Sequence, residues 1–259
     1  MPQNQANSHS QDEGYFASFT DLLVGILFIF IVMLMMFANN MRKQAAVTKE
    51  VTEQVTAMIN SRDIVLHEIE KSLQALGITV TIDATQGILR LPDSILFDSG
   101  KYELNAAGNS ALVHLANVLA LYLPCITHVD DENLRKKCSS LNLKSTESLE
   151  AVLIEGHTDR TGSKSGFDNW TLSVNRAINV FRKLKEAQPI LDTKIYAQHI
   201  DSTTGNIHKS PVLAVSGYES RRPVVDQDDS HKNRRIDLRF IMRSPTPDDI
   251  ESMKKSVTQ

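Results

Sequence analysis

Two places in the 259-residue chain hold residue types that can do chemistry. The first is EGHTDRTGSKSGFDNWTLSVNRA, residues 155–177. The apolar run AVLIEG (151–156) reads as a buried strand, so Thr158 and Asp159 emerge at its C-terminal end. The loop passes Gly162 and re-enters a helix carrying Asn169, Leu172, Ser173 and Arg176. A strand end facing a helix start can hold an acid and a base a few ångströms apart. Such a pair fits a zwitterion, the carboxylate taking an ammonium and the guanidinium forking onto a carboxylate. Asp159 and Arg176 read equally well as a structural salt bridge. The second place is Asp21, at the edge of YFASFTDLLVGILFIFIVMLMMFA, residues 15–38. From Leu22 to Ala38 there are 17 residues without a charge or a strongly polar group. With Tyr15–Thr20 added, the run reaches the roughly 20 residues needed to cross a bilayer. Asp21 is then either an interfacial or capping group that reaches water, or a proton carrier. A carboxyl group partly withdrawn from water can load and release protons near neutral pH.

The elements that must position these groups follow from pattern. Residues 1–14 are polar and read as a disordered tail, and 15–38 as a single membrane span. Residues 39–76 contain neither Gly nor Pro. Apolar residues fall at Val47, Val51, Val55, Met58, Val65, Ile69, Leu73 and Leu76, with Arg62 in the one vacant step. That is 29 residues in eight steps, 3.6 per step, a straight helical stripe. It forms a helical linker whose partner is a second copy of itself or its own domain. From Gly77 to residue 243 the pattern is that of one α+β domain. ITVTID (78–83) and GILRLP (87–92) form a hairpin, LFDSG (96–100) a turn, and 106–123 a helix capped by Asn105 and stopped by Pro124. A helix over 168–187, a short strand over 213–219 and an alternating strand over 234–242 complete a β-α-β-α-β sandwich. Residues 125–149 and 188–211 read as irregular, and 244–259 as a flexible tail.

Composition narrows the function. The net charge of -3, from 28 basic and 31 acidic residues, carries no nucleic-acid footprint. Hydrolase chemistry at His157, Asp159 and the nearby serines lacks a nucleophile elbow and a metal spacing such as H-E-x-x-H. An enzyme, a metal site and a bound cofactor are therefore not expected. The two cysteines, Cys125 and Cys138, are either a disulfide, which needs an oxidising compartment, or two unrelated thiols. Residues 1–14 lack the Lys or Arg of a signal peptide, so the apolar run reads as a retained anchor.

GHTDRTG (156–162), the N, LS and RA that follow it, GYESRRP (217–223) and NRRID (233–237) resemble the OmpA-like peptidoglycan-binding domain, and FDSGKYELNAAG (97–108) matches its opening segment. The resemblance covers about residues 78–243 and departs at the Cys-bearing insert 125–149 and the long loop 188–211. It implies that Asp159 and Arg176 grip the amino and carboxyl groups of diaminopimelate in the cell-wall peptide, with Asn169 and Leu172 beside them. The span, the helical linker and this domain together resemble the MotB class of stator subunits. That implies a homodimer inside a ring of a multi-span, MotA-like partner, with Asp21 carrying protons, or sodium as the alternative coupling ion. The sequence FTDLLVGILFIFI and the lack of a long Pro-rich linker make it most similar to the ZorB family of Zorya anti-phage defence systems, which works with ZorA. A flagellar-type stator subunit and a passive membrane-to-wall anchor are the alternatives. The implied location is the bacterial inner membrane, N-terminus cytoplasmic and domain periplasmic. Arg42, Lys43 and Lys49 on the C-terminal flank of the span argue the other way by the positive-inside rule.

Overall fold

No proline and only Gly14 and Gly25 interrupt residues 7–75, and the chain forms one uninterrupted helix there, α1 (Asn7–Ala75). The computed structural model describes residues 7–141, 143, 147–161, 168–200, 204–226, 231–244, 246 and 251. The polar tail expected over 1–14 is helical from Asn7 onward, because adding residues to an existing helix needs no new nucleus. The flexible tail expected over 244–259 lies mostly outside the described residues.

The chain forms two units, one running to Glu53 and the other spanning Gln54–Ser244. In the first, the stretch beginning at Ser18 contains a window of mean hydropathy 2.7, long and apolar enough to cross a membrane. Its large apolar side chains, from Phe19 to Phe37, are exposed. A second helix passes the same length and hydropathy test, but half of it is buried, and it is a core element of the second unit.

In the second unit the end of α1 belongs to the domain. Val65, Leu66, Ile69 and Leu73 are buried in the core, so this part of the linker stripe covers its own domain and not a second copy. Arg62, in the vacant step, sits against the following hairpin and donates to the Ala84 carbonyl at 2.6 Å. Gly77, at φ 76°, turns the chain out of the helix in the left-handed region. Strands β1 (Thr81–Asp83) and β2 (Ile88–Pro92) pair as the expected hairpin, and a short helix α2 (Asp93–Leu96) follows. Helix α3 (Ala106–Tyr122) starts where the Asn105 side chain accepts from the Gly108 N–H at 2.6 Å.

The described parts of the two segments read as irregular form secondary structure, and they pair with each other. Strand β3 (His128–Val129) and helix α4 (Glu132–Ser140), capped by Asp131, come from the first. Helix α6 (Ile190–Thr193) and strands β5 (Ile195–Ile200) and β6 (Ile207–Pro211) come from the second. They follow β4 (Leu149–His157) and α5 (Asn169–Ala187) in the chain. Strands β3, β5 and β6 form a separate three-stranded sheet. Two-residue and exposed strands carry little periodicity, which is why pattern alone passes over them. Cys125 and Cys138 are bonded, with Cα atoms 5.4 Å apart, tying α4 to the end of α3.

The main sheet has the order β1-β2-β8-β4-β7, with β7 (Leu213–Gly217) and β8 (Arg235–Met242). Only the β4–β7 pairing is parallel. Along β8 the side chains alternate: Ile236, Leu238 and Phe240 enter the core, while Arg235, Asp237 and Arg239 share the opposite face. Helix α5 packs on β4 and β7, and α3 packs on α5. The closest approach is at Gly156, where a Cβ would lie 1.9 Å from the Ser173 carbonyl oxygen. Because that oxygen is backbone, Gly156→Ala must push α5 off the sheet. The expected cost is about 1–3 kcal/mol, read as a lower thermal midpoint; an unchanged midpoint would contradict this packing.

Candidate functional site

The site forms where β4 ends beside the first two turns of α5. Five hydrogen bonds hold the chain beyond His157 in place. The Thr158 N–H donates to the Glu219 carbonyl at 2.8 Å, and Asn169 Nδ2 donates to the Asp159 carbonyl at 3.1 Å. One Asp159 oxygen accepts from the Thr161 N–H at 3.2 Å and the Thr161 hydroxyl at 2.6 Å. The other accepts from Arg234 Nη1. Burial opposes the Asp159 charge, but these donors outweigh it and hold its carboxyl below the usual carboxylate range.

Arg176 is 1% exposed, and the geometry around it is specific. Its Nε donates to the Lys101 carbonyl at 2.9 Å, and its guanidinium carbon lies 5.1 Å from the centroid of Phe97. Its Nη1 is 3.1 Å from Asp93 Oδ2, an ion-pair contact. That contact is within hydrogen-bonding distance and opposes the burial of both charges. Arg234 Nε approaches the same Asp93 oxygen at 3.5 Å. Burial pushes the Asp93 carboxyl up, against the pull of Arg176 and Arg234.

The expected pair is therefore reached indirectly. Among the described residues no ion pair joins Asp159 to Arg176. Arg176, Asp93, Arg234 and Asp159 instead form an alternating series of cation, anion, cation and anion. Asn169 belongs to the site through the Asp159 backbone, and Leu172 is buried on the same helix. Sequence reasoning passed over Asp93 and Arg234. Arg234 lies in the NRRID stretch that carried the resemblance, and strand alternation puts it on the face opposite Arg235. Asp93 gives no local signal: it is one acid after a strand-ending proline. In the first unit, Asp21 lies on a helix face with Ser18, Leu22, Gly25 and Ile29.

Residues 124–236 match the model of the OmpA family. The matched stretch holds the disulfide, Asp159, Asn169, Leu172, Arg176 and Arg234, and the fold built around it is an OmpA-like α+β domain with a mixed sheet. The chain is also similar to Motility protein B of Bacillus subtilis (strain 168), 26% identical over 197 residues. That alignment covers 75% of this chain and 56% of the relative, so the chain spans little more than half the length of the protein it matches. Among solved structures it resembles a MotB-like protein from Desulfovibrio vulgaris, 19% identical, covering 73% of this chain and 95% of that one, with a TM-score of 0.47. It also resembles the periplasmic domain of Helicobacter pylori MotB, 18% identical, covering 65% and 84%, with a TM-score of 0.41. A third is the cell wall anchor of the T6SS from Pseudomonas aeruginosa, 18% identical, covering 69% and 97%, with a TM-score of 0.41.

Behind the site, the outward face of the OmpA-like sheet carries a second ionic layer. Arg239 holds Glu155 bidentately at 2.7 and 2.9 Å, Arg235 holds Asp237 at 2.9 Å, and Arg90 holds Asp83 at 2.9 Å. His157 stacks on Tyr218 and lies 3.7 Å from Glu155 and 3.5 Å from Asp237. Burial pushes its imidazole down, against the pull of the carboxylates, so it is neutral at pH 7. Ligand atoms of Glu155, His157 and Asp237 come within 4.8 Å of one another, as in a metal site. The guanidiniums of Arg239 and Arg235 already occupy both carboxylates, and their charge opposes a cation there.

Burial alone would raise the Glu155 carboxyl, but the His157 imidazole and the Arg239 guanidinium reverse this and hold it at about 2 instead of 4.5. At 3.7 Å the imidazole is beyond hydrogen-bond length, so the guanidinium carries most of the effect. A depressed carboxyl stabilises the fold above its unfolded value, and that contribution is lost as pH falls from 4.5 towards about 2. Arg239→Gln should cost about 3–5 kcal/mol at pH 7, with the gap to wild type narrowing as acid neutralises Glu155. Thermal melts across pH check this; a gap independent of pH would contradict it.

Proposed function

We propose that this chain is a membrane-anchored stator subunit that holds the cell wall through its OmpA-like domain. The observation that carries the proposal is the alternating charge series at the end of β4, in which buried Arg176 backs Asp93 and the partly exposed Arg234, with Asp159 at the other end. A ligand carboxylate would meet the guanidinium side of that series. Asp159, at the far end of the same series, supplies the opposite charge for an ammonium. A group bearing both, such as diaminopimelate in a peptidoglycan stem peptide, matches the set in sign. Asn169 and Leu172 support the grip from the same helix.

In this reading residues 1–14 face the cytoplasm, the OmpA-like domain is periplasmic, and two copies sit in a ring of a MotA- or ZorA-like multi-span partner. The coupling ion is a proton carried by Asp21, with sodium as the alternative, and no other cofactor or enzymatic step is involved. The specific assignment we favour is the B subunit of a Zorya anti-phage system. The similarity to Motility protein B supports a flagellar-type stator equally.

Two substitutions in the full-length chain separate the parts of this proposal. Asp21→Asn keeps shape and hydrogen bonding but cannot ionise, so it should abolish phage protection or motor torque at normal membrane level and partner co-purification. Asp21 lies well inside α1 and is not a cap, so full activity of the Asn variant would eliminate the carrier role and leave a passive anchor. Arg176→Ala in the detergent-solubilised chain should abolish retention on sacculi while the fold persists; wild-type retention would make the charge series purely structural.

A further inference from the structure

Trp170 is the only tryptophan in the chain, and it is 44% exposed on the first turn of α5. It is held in place from the other side of the site. The Arg221 guanidinium carbon lies 5.2 Å from the Trp170 ring centroid, and Arg221 Nε is 3.5 Å from the Glu219 carboxylate. Glu219 has a positive φ of 53°, rare for a residue with a side chain. Two hydrogen bonds fix it there: its N–H donates to Ser173 Oγ at 3.2 Å, and its carbonyl accepts from the Thr158 N–H at 2.8 Å. The next residue along the helix towards the N-terminus, Asn169, donates to the Asp159 carbonyl. The indole is thus tied through both neighbours to the strand end that carries Asp159.

We infer that Trp170 is a stacking platform for a pyranose ring, so that the site takes a sugar-bearing peptide in preference to a free one. The inference rests on the wall-binding reading above. An indole costs free energy to leave in water, and an exposed one beside a ligand site is a ready contact surface. The axial C–H groups of a pyranose make one face of the sugar apolar and complementary to a flat ring. In peptidoglycan the sugar lies about three residues from the diaminopimelate, a reach of ~10 Å when extended. Such a reach places the sugar outside the charge series, and Trp170 is the exposed helix neighbour of Asn169, which touches the Asp159 backbone. The Arg221 guanidinium lies over the ring and favours this orientation of the indole.

The sole indole is also the reporter. Full-length protein in detergent is titrated with a diaminopimelate stem peptide and with the same peptide carrying its disaccharide, following tryptophan emission and, independently, calorimetric binding. Both ligands should bind, the disaccharide form about three- to tenfold more tightly, and only that form should shift the emission. Trp170→Ala should abolish the preference and leave the free peptide's affinity unchanged, and Trp170→Phe should retain part of it. Equal binding of both ligands with no emission change, or an unchanged preference in Trp170→Ala, would overturn the inference and leave the wall site intact. Binding of neither ligand would overturn the wall site and the inference together.

Discussion

A guanidinium with 1% of its surface exposed must be answered by carboxylates, and Arg176 sets that demand for the OmpA-like domain. Its charge is met by Asp93, Asp93 is shared with Arg234, and Arg234 reaches Asp159. Four residues from four segments of the chain are held in one series. For the series to close, the end of β2, the start of β8, the end of β4 and the second turn of α5 must converge. The close contact at Gly156, where α5 presses backbone against β4, is what brings Arg176 to that point. Fold and site share this constraint: the packing that seats the helix also creates the buried charge.

The two ionic groups of the domain differ in how their charges are shared. On the outward face of the sheet each carboxylate has its own guanidinium, Glu155 with Arg239, Asp237 with Arg235 and Asp83 with Arg90. Well-paired charges of this kind favour one register of β8 over its neighbours, because a one-residue slip would move the whole set into the core. At the end of β4 the pairing is shared, two guanidiniums on one Asp93 oxygen. The outward layer stabilises the sheet; the shared series lies where β4 ends beside α5.

Much of this was legible in the sequence, for identifiable reasons. The span, the helices of Asn105–Tyr122 and Asp168–Ala187 and the strand at 235–242 have strong periodicity or cap chemistry, and they form. Asp159, Asn169 and Arg176 stand out because strand-to-helix transitions concentrate polar residues. Asp93 could not be found this way, since its role depends on a contact with Arg176, 83 positions further along the chain. The insert and the long loop were misread as irregular for a related reason. Each is short of a stable unit, and they become ordered by pairing β3 with β5 and β5 with β6 and by the Cys125–Cys138 bond. The linker stripe was correct in period, but its last turns cover the domain's own core, a choice of partner that periodicity does not encode.

The central claim is that the alternating charge series recognises a zwitterionic side chain through both of its ends. The most direct measurement is calorimetric titration of the full-length, detergent-solubilised protein with two stem peptides differing only at the third residue. One carries diaminopimelate and the other lysine, which keeps the ammonium and lacks the second carboxylate. The account predicts that the diaminopimelate peptide binds at least about tenfold more tightly, the worth of one charge-assisted hydrogen bond to a guanidinium. Equal affinity for the two peptides, or no binding of either, would contradict it.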